Sequence, residues 1–514
     1  MVSSVPSSLS AQERAHLVQA VKDWAAANGL AIRPPPSIAS QDVDPAGALA
    51  IHAPVTLFPS RFPRKCYNQA QSVQESYNEL YARISSDEEF LSGLVSELAD
   101  VDDFVAGLWK VHEKVKAEGY TQDLSLGLFR SDYMVHEHDS DLHVKQVEFN
   151  TIASSFGGLS AQTALLHRYL AETEYPLLQQ GWKELDVPKS ESVEVLARGI
   201  EAAFREYVRA SNAPEGTVQR PRCVLFITQT GERNIFDQRH LEYQVEKSDP
   251  RIPVFRLPFA EVLEHTRVVE GAKRELIYTL PWSREWPQPS EYEVAVVYYR
   301  AGYGPGDYPT EEAWQARYQI ERASAIKCPT ILTQLAGMKK VQQVLATPED
   351  VGGSSIHGRF ITGLPDVSSL MGTFTNIYPM DTSPAGLEAR KKATDAVLCQ
   401  DYVLKPQREG GGNNIYRSAI PDFLKSIPET HWGSYILMEL ITPPPAENII
   451  LRNGQLEEGG IISELGIYGT CLWNKEKVLH NEGGGYLLRT KGDKSEEGGV
   501  AAGFGCMDSV RLVD

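Results

Sequence analysis

The sequence predicts a mixed α/β (α+β) protein of more than one packed unit, and three observations carry that prediction. The chain has 514 residues, well past the roughly 250 to 300 at which a single core stops growing. Between residues 68 and 118 apolar side chains recur at i, i+3 and i+4, the period of an amphipathic helix. From about residue 125 the texture changes to short β-branched and aromatic runs separated by helical or glycine-rich stretches.

Each element follows from local chemistry. Ser10 and Glu13 stand at capping-box spacing ahead of Leu17, Val21 and Trp24, which share one helical face until Gly29 can close the helix. The strings VQESYNELYARI, EEFLSGLVSEL and VDDFVAGLWKVHEKVKAEG extend a helical amino-terminal region. LHVKQVEF, CVLFIT, VAVVYY, YVLKP, YILMELI and GIISELGIYG then read as strands. SNAPEGTVQRPR reads as a linker and QLAGMKKVQQVL as the restart of a helix, so boundaries are expected near 215 and 335. The expected units are 1–215, 216–335 and 336–514.

Composition narrows the function classes. Lys plus Arg number 50 against 68 Asp plus Glu, a formal charge of -18, which opposes accumulation on phosphate backbones, so nucleic acid is not an expected partner. An anionic small molecule would need a few cations focused in one cleft. No apolar run approaches the roughly 18 residues of a membrane span. The opening MVSSVPSSLSAQERAHL lacks the apolar core of a signal peptide, so the expected location is cytoplasmic, with no membrane partner. Six cysteines without a CxxC pair exclude a zinc ribbon and a dithiol motif. No GxSxG elbow, HExxH helix or kinase HRD/DFG set occurs. His136, His138 and His143 read as surface or packing residues, and Cys66 as packing.

Three segments carry chemistry. In VKQVEFNTIASSFGGLS, Glu148 and Asn150 alternate onto one side of a strand end and form a hard-oxygen pair suited to magnesium. Alone, that pair reads more readily as an exposed strand end. In YVLKPQREGGGNNIY, Lys405 ends a strand and Glu409 precedes Gly410, Gly411 and Gly412, followed by Asn413 and Asn414. Glycines let backbone N–H groups approach a phosphate, and the absence of a following GKS or GKT separates this loop from the P-loop. In GGGYLLRTKGDKSEEGGVAAGFG, glycines flank Arg489, Lys491 and Lys494, the pattern of a mobile lid over 483–503. ERNIFDQR and YYRAGYGPGDY add Glu232, Asn234, Gln238, Arg300 and Tyr303 after predicted strands, where ligands settle in α/β proteins. Arg130 and Arg489 can each clamp a carboxylate through two hydrogen bonds.

With FPRKCYNQAQSVQESYNELY, ERNIFDQR, QLAGMKKVQQ, KPQREGGGNN, SELGIYG and LLRTK together, the sequence resembles the eukaryotic glutathione synthetases of the ATP-grasp superfamily. The resemblance implies an ATP-grasp fold with an inserted α/β substrate-binding domain over 216–335 and glycine-rich (405–414) and alanine-rich (483–503) loops. It implies an ATP-dependent carbon–nitrogen ligase that joins γ-glutamylcysteine to glycine through an acyl phosphate, with Mg2+ as cofactor and a homodimeric assembly. By matching motifs, magnesium falls to Glu148, Asn150 and Glu409. ATP falls to Glu148, Lys339, Lys405, Glu409, Gly410, Gly411, Gly412, Asn413, Asn414 and Tyr416, then to Met438, Glu439, Leu440, Ile441, Glu464, Lys491 and Glu497. Peptide substrate falls to Arg130, Ile152, Ala153, Ser154, Ser155, Glu232, Arg233, Asn234 and Gln238, and to Arg300, Ala301, Gly302, Tyr303, Arg489, Val500 and Ala501. Arg130 and Arg489 take the catalytic role at the acyl centre. Glu497 stands where the family pattern has Asp, keeping the charge on a longer side chain. Two alternatives stand beside this reading: the same scaffold with β-alanine or serine as acceptor, and a catalytically silent nucleotide-binding regulatory protein.

Overall fold

The capping box at the amino terminus is closed on both sides. Ser10 Oγ accepts from the Glu13 N–H at 3.2 Å and the Glu13 carboxylate accepts from the Ser10 N–H at 2.8 Å, so helix α1 (Ala11–Asn28) starts there and ends at Gly29 with φ 69°. The computed structural model describes residues 2–3, 9–40, 42–139, 141–172, 185–210, 220–281, 290–348, 356–408, 412–495, 499–500 and 503–514. Helices α2 (Arg64–Ser72), α3 (Gln74–Ser86), α4 (Glu88–Leu98) and α5 (Asp103–Glu118) follow. Their apolar faces share one core with the strands beyond them, where Tyr81 stacks on Phe149 with ring centroids 3.8 Å apart. Each ring so buried contributes roughly 1.5–3 kcal/mol.

The strands that bear the site come next in the chain. They are β1 (Ser125–His138) and β2 (Asp141–Asn150), then, beyond helices α6 (Gly157–Glu172) and α7 (Ser192–Ala210), β3 (Arg222–Thr228). Helix α8 (Ile235–Ser248), strands β4 (Val254–Pro258), β5 (Glu291–Tyr299) and β6 (Ile326–Cys328), and helix α9 (Lys339–Ala346) complete this part. The order β6-β5-β3-β4 is parallel throughout. Parallel strands are covered on both faces, which is why Cys223–Ile227 and Val294–Tyr299 are buried residue after residue with no alternation.

A small antiparallel sheet stands apart, in the order β7 (Ile377–Pro379), β10 (Tyr435–Glu439), β8 (Tyr402–Pro406), β9 (Ile415–Tyr416). Its residues alternate between two cores: Tyr402, Leu404 and Leu437 lie in one with Ala389 and Ile420, whereas Val403, Ile436 and Met438 lie in another with Ala346 of α9. Strands β11 (Ala446–Arg452), β12 (Gln455–Trp473), β13 (Val478–Gly492) and β14 (Cys506–Asp508) then return to the large sheet. There β12 pairs antiparallel with β1 on one side and β13 on the other.

Three expectations are corrected or bounded here. Residues 483–492 are not part of a loop: they belong to β13, and Gly483, Gly484 and Gly485, expected as one hinge of the lid, serve close packing instead. A Cβ on Gly485 would lie 2.2 Å from the Ser192 backbone nitrogen, and one on Gly483 3.0 Å from Gln74. QLAGMKKVQQVL forms two short helices, Ile331–Ala336 and α9, parted at Gly337, whose Cβ would lie 2.3 Å from Thr151 Oγ1. The chain breaks where it must pass the end of β2. Most of the expected linker, 211–219, lies outside the described residues, between α7 and β3.

Candidate functional site

The small sheet faces β1, β2, β12 and β13 across a cavity of about 760 Å3. Each wall is set by strand register. Arg130 lies opposite Asn150, and Asp132 opposite Glu148, in the β1–β2 pair, while Glu464 of β12 lies opposite Arg489 of β13. From the small sheet come Lys405 at the end of β8, Tyr416 of β9, and Met438 and Glu439 of β10, followed by Leu440 and Ile441. Lys339, the first residue of α9, and Lys491 of β13 complete the ring of cations.

These charges are paired. Lys339 Nζ donates to Glu148 Oε2 at 2.8 Å, and Lys405 Nζ donates to the Val147 carbonyl at 3.1 Å. Burial pushes the Glu148 carboxyl up, but Lys339 and Lys405 outweigh it and hold the group far below the ordinary carboxylate range. Burial lowers Lys405 to about 8, against the pull of Glu148. Burial also pushes the Glu464 carboxyl up, against the pull of Arg489 and with the push of Asp132 and Glu148. Arg489 bonds Glu464 and, at 3.0 Å, Asp132. Arg130 grips Asp132 with two nitrogens, at 2.5 and 2.7 Å, and donates to the Ser155 carbonyl at 3.0 Å. Guanidinium fork and carboxylate meet here in the bidentate geometry that holds both.

The turn that closes the other end, Ile152–Phe156, is held in an uncommon shape. Ala153 and Phe156 have φ of 52° and 72°, which a side chain beyond glycine adopts only when its surroundings impose it. Arg300 imposes it by donating to the Ala153 and Ser154 carbonyls at 3.0 and 2.9 Å and to Ser155 Oγ at 2.7 Å. Asp237 accepts from the Phe156 and Gly158 N–H groups at 2.7 and 2.8 Å, capping α6. Beyond the turn, Glu232 accepts from the Asn234 N–H at 2.7 Å and from Gln238 Nε2 at 2.6 Å. Asn234 Oδ1 and Arg300 Nε are buried polar atoms with no hydrogen-bond partner among the described residues, so this end can still accept polar ligand groups.

The cavity therefore gathers Arg130, Glu148, Asn150, Ile152, Ala153, Ser154, Ser155, Glu232, Arg233, Asn234, Arg300, Tyr303, Lys339, Lys405, Asn414, Tyr416, Glu464, Arg489, Lys491 and Val500. Gln238 stands behind Glu232. Ala301 is buried, and the Gly302 N–H donates to Asp307 at 2.9 Å. Ala301, Gly302, Gly412 and Asn413 are not among the residues that line the cavity. Glu409, Gly410, Gly411, Glu497 and Ala501 lie outside the described residues. Asp132, Gln229 and Thr490 belong to the site without being expected from the sequence. Only Asp132 carried a signal, its i, i+2 spacing from Arg130, which places both on one strand face. Cys66 is buried, and burial pushes its thiol up to about 11, the state of an inert packing cysteine.

A small antiparallel sheet closing on a large mixed sheet over buried lysines and carboxylates defines the class: an ATP-grasp fold, the scaffold of ATP-dependent ligases. Residues 11–512 match the family described as eukaryotic glutathione synthase, ATP binding domain. The chain belongs to that family and is an ATP-dependent ligase. It is 40% identical over 477 residues to the glutathione synthetase large chain of Schizosaccharomyces pombe, covering 90% of this chain and 92% of that one. It is 37% identical over 502 residues to the glutathione synthetase of Homo sapiens, covering 97% of each. A glutathione synthetase-like effector from Globodera pallida, solved in apo form, shares the fold with a TM-score of 0.72 at 23% identity over 99% of both chains.

Proposed function

We propose that this cleft joins γ-glutamylcysteine to glycine with ATP, giving glutathione, ADP and phosphate. The observation that carries the reading is the convergence of Arg130, Arg489, Lys339 and Lys405 with Glu148 and Glu464 in one cleft of a chain whose net charge is -18. A carboxylate is a poor acyl donor because oxide is a poor leaving group. The cysteinyl carboxylate oxygen therefore takes the γ-phosphoryl group as the bond to ADP breaks. The glycine amine then attacks the acyl carbon, loses a proton, and expels phosphate. Catalysis is charge neutralisation and positioning, with no protein nucleophile. Arg130 and Arg489 stabilise the carboxylate and the oxyanion that follows it, and Lys339 and Lys405 neutralise phosphoryl oxygens.

Tyr416 and Met438–Ile441 receive the nucleotide with Glu464 and Lys491. Ser154, Ser155, Glu232, Asn234, Arg300 and Tyr303 receive the γ-glutamyl end, with 216–335 acting as the substrate-binding unit between the nucleotide-binding parts 1–215 and 336–514. Among the described residues no three His, Cys, Asp or Glu groups form an ion site by themselves. That suits magnesium, which takes one or two carboxylates and completes its shell with phosphates and water. Glu148 and Asn150, with Glu409, would hold it, and it would neutralise phosphate charge. The six cysteines are free and buried, in keeping with a reducing compartment such as the cytoplasm, and no helix among the described residues is long and apolar enough to cross a membrane. The resemblance adds a homodimer to this reading.

The test is ADP release with γ-glutamylcysteine, with and without glycine, β-alanine or serine. Release that needs both peptide and glycine, in step with amide formation, is the expected result. Release of AMP and pyrophosphate, or no release at all, would sink the reading. Preference for β-alanine or serine would move the acceptor assignment alone.

A further inference from the structure

Asp132 does not itself line the cavity; it is fully buried beneath residues that do. Its Oδ1 accepts from Arg130 Nε, and its Oδ2 from Arg130 Nη2, Arg489 Nη2 and Asn150 Nδ2, the last two at 3.0 Å. The second proton of the Asn150 amide goes to the Arg130 carbonyl at 3.1 Å. With both amide protons committed to this side, Asn150 Oδ1 is the group left to face the cleft that Asn150 lines. An amide is otherwise free to flip, and only its hydrogen bonds decide which atom it presents. One carboxylate thus fixes two guanidinium groups and the sense of an amide.

Resting on the reading of the cleft given above, we propose that Asp132 is the positioning residue that orients Asn150 oxygen-first towards a divalent cation while holding Arg130 and Arg489 at the acyl centre. A neutral amide at this position would offer a single acceptor oxygen. Its own N–H groups would oppose those of the arginines and of Asn150, and no arrangement of it satisfies all three partners. The neighbouring strand makes room for the same pair. Gly466 lies opposite Asp132, and a Cβ there would come 2.7 Å from Arg130 Cδ and 2.8 Å from Asp132 Oδ1. Of the two glycines in SELGIYG, it is Gly466 that leaves room for the Arg130–Asp132 pair.

The experiment uses the full chain and two readouts: steady-state ligation over a magnesium titration, and binding of Mn2+ in the presence of ADP, followed by loss of the free Mn2+ spin-resonance signal. Asp132→Asn should lower kcat and weaken Mn2+ binding, each about 10- to 100-fold, the range seen when the group orienting a metal ligand is removed. In the Asp132→Asn, Asn150→Ala pair, the double variant should bind Mn2+ no more weakly than Asn150→Ala alone, within about twofold. Gly466→Ala, which keeps every charge, should move both readouts in the same direction and carries the test if Asp132→Asn does not fold. Mn2+ affinity unchanged in a folded Asp132→Asn or Gly466→Ala protein would overturn the proposal, and so would full additivity in the pair. Wild-type protein that binds Mn2+ with ADP but forms no amide would overturn the ligase reading and leave the role of Asp132 to be decided by the binding data.

Discussion

Glu148→Gln is expected to lower turnover by about 100-fold or more, roughly 2.7 kcal/mol of transition-state stabilisation, with the fold intact. The carboxylate is ionised well below neutral pH because Lys339 and Lys405 outweigh its burial. It is also the group on which Lys339 closes at 2.8 Å. Glutamine keeps the shape and removes the charge, so the two lysines lose their counter-ion and the magnesium loses a charged oxygen ligand. The side chain keeps 24% of its surface exposed and faces the cleft rather than a core, so the fold should persist, with thermal stability lowered by the buried lysines' lost counter-ion. Steady-state rates over a magnesium titration check this. A variant with near-normal rates at limiting magnesium would show that Glu148 is not a ligand.

Gly485→Ala is expected to be among the most destabilising single methyl additions in the chain, by about 2–5 kcal/mol. Gly485 has φ 70°, where a side chain costs roughly 1–2 kcal/mol. Its Cβ would lie 2.2 and 2.4 Å from the backbone nitrogen and Cα of Ser192, so backbone must move, and overpacking adds about 1–3 kcal/mol. Movement is resisted because Ser190 Oγ bonds both the N–H and the carbonyl of Tyr486, at 2.8 and 2.6 Å. The melting temperature should fall by roughly 2–5 °C. Gly93→Ala is the control: it lies inside α4 with nothing within 4 Å of its Cβ, and should be neutral or stabilising by about 0.5–1 kcal/mol. Equal melting temperatures for wild type and Gly485→Ala would contradict the close-packing account of Gly483–Gly485.

Those glycines mark the limit of reading this chain from residues alone. A run of three glycines signals that a side chain is unwelcome, and it does not say whether freedom or room is the reason. At 483 and 484 the answer is room, taken up by Gln74 and Val195, and at 485 it is both, since Ser192 crowds the position and φ is 70°; all three partners lie far away in sequence. What depends on neighbours along the chain was readable. The capping box at Ser10 and Glu13, the alternation that puts Glu148 and Asn150 on one side of β2, and the placing of Lys405 near the end of β8 all survive in the fold. What depends on register between distant strands was not. Asp132 looks like any strand carboxylate until β12 and β13 bring Arg489 against it from 357 positions away. Arg408, read as part of a loop, proves to ion-pair with Asp102, the cap of α5.

Isotope transfer tests the central claim most directly. If the cleft activates the cysteinyl carboxylate by phosphorylation, γ-glutamylcysteine carrying 18O in that carboxylate should deliver one 18O to the phosphate released with each amide formed. Phosphate that carries no label while glutathione accumulates, or label found in AMP instead, would contradict the acyl-phosphate mechanism and with it the roles assigned to Arg130, Arg489, Lys339 and Lys405.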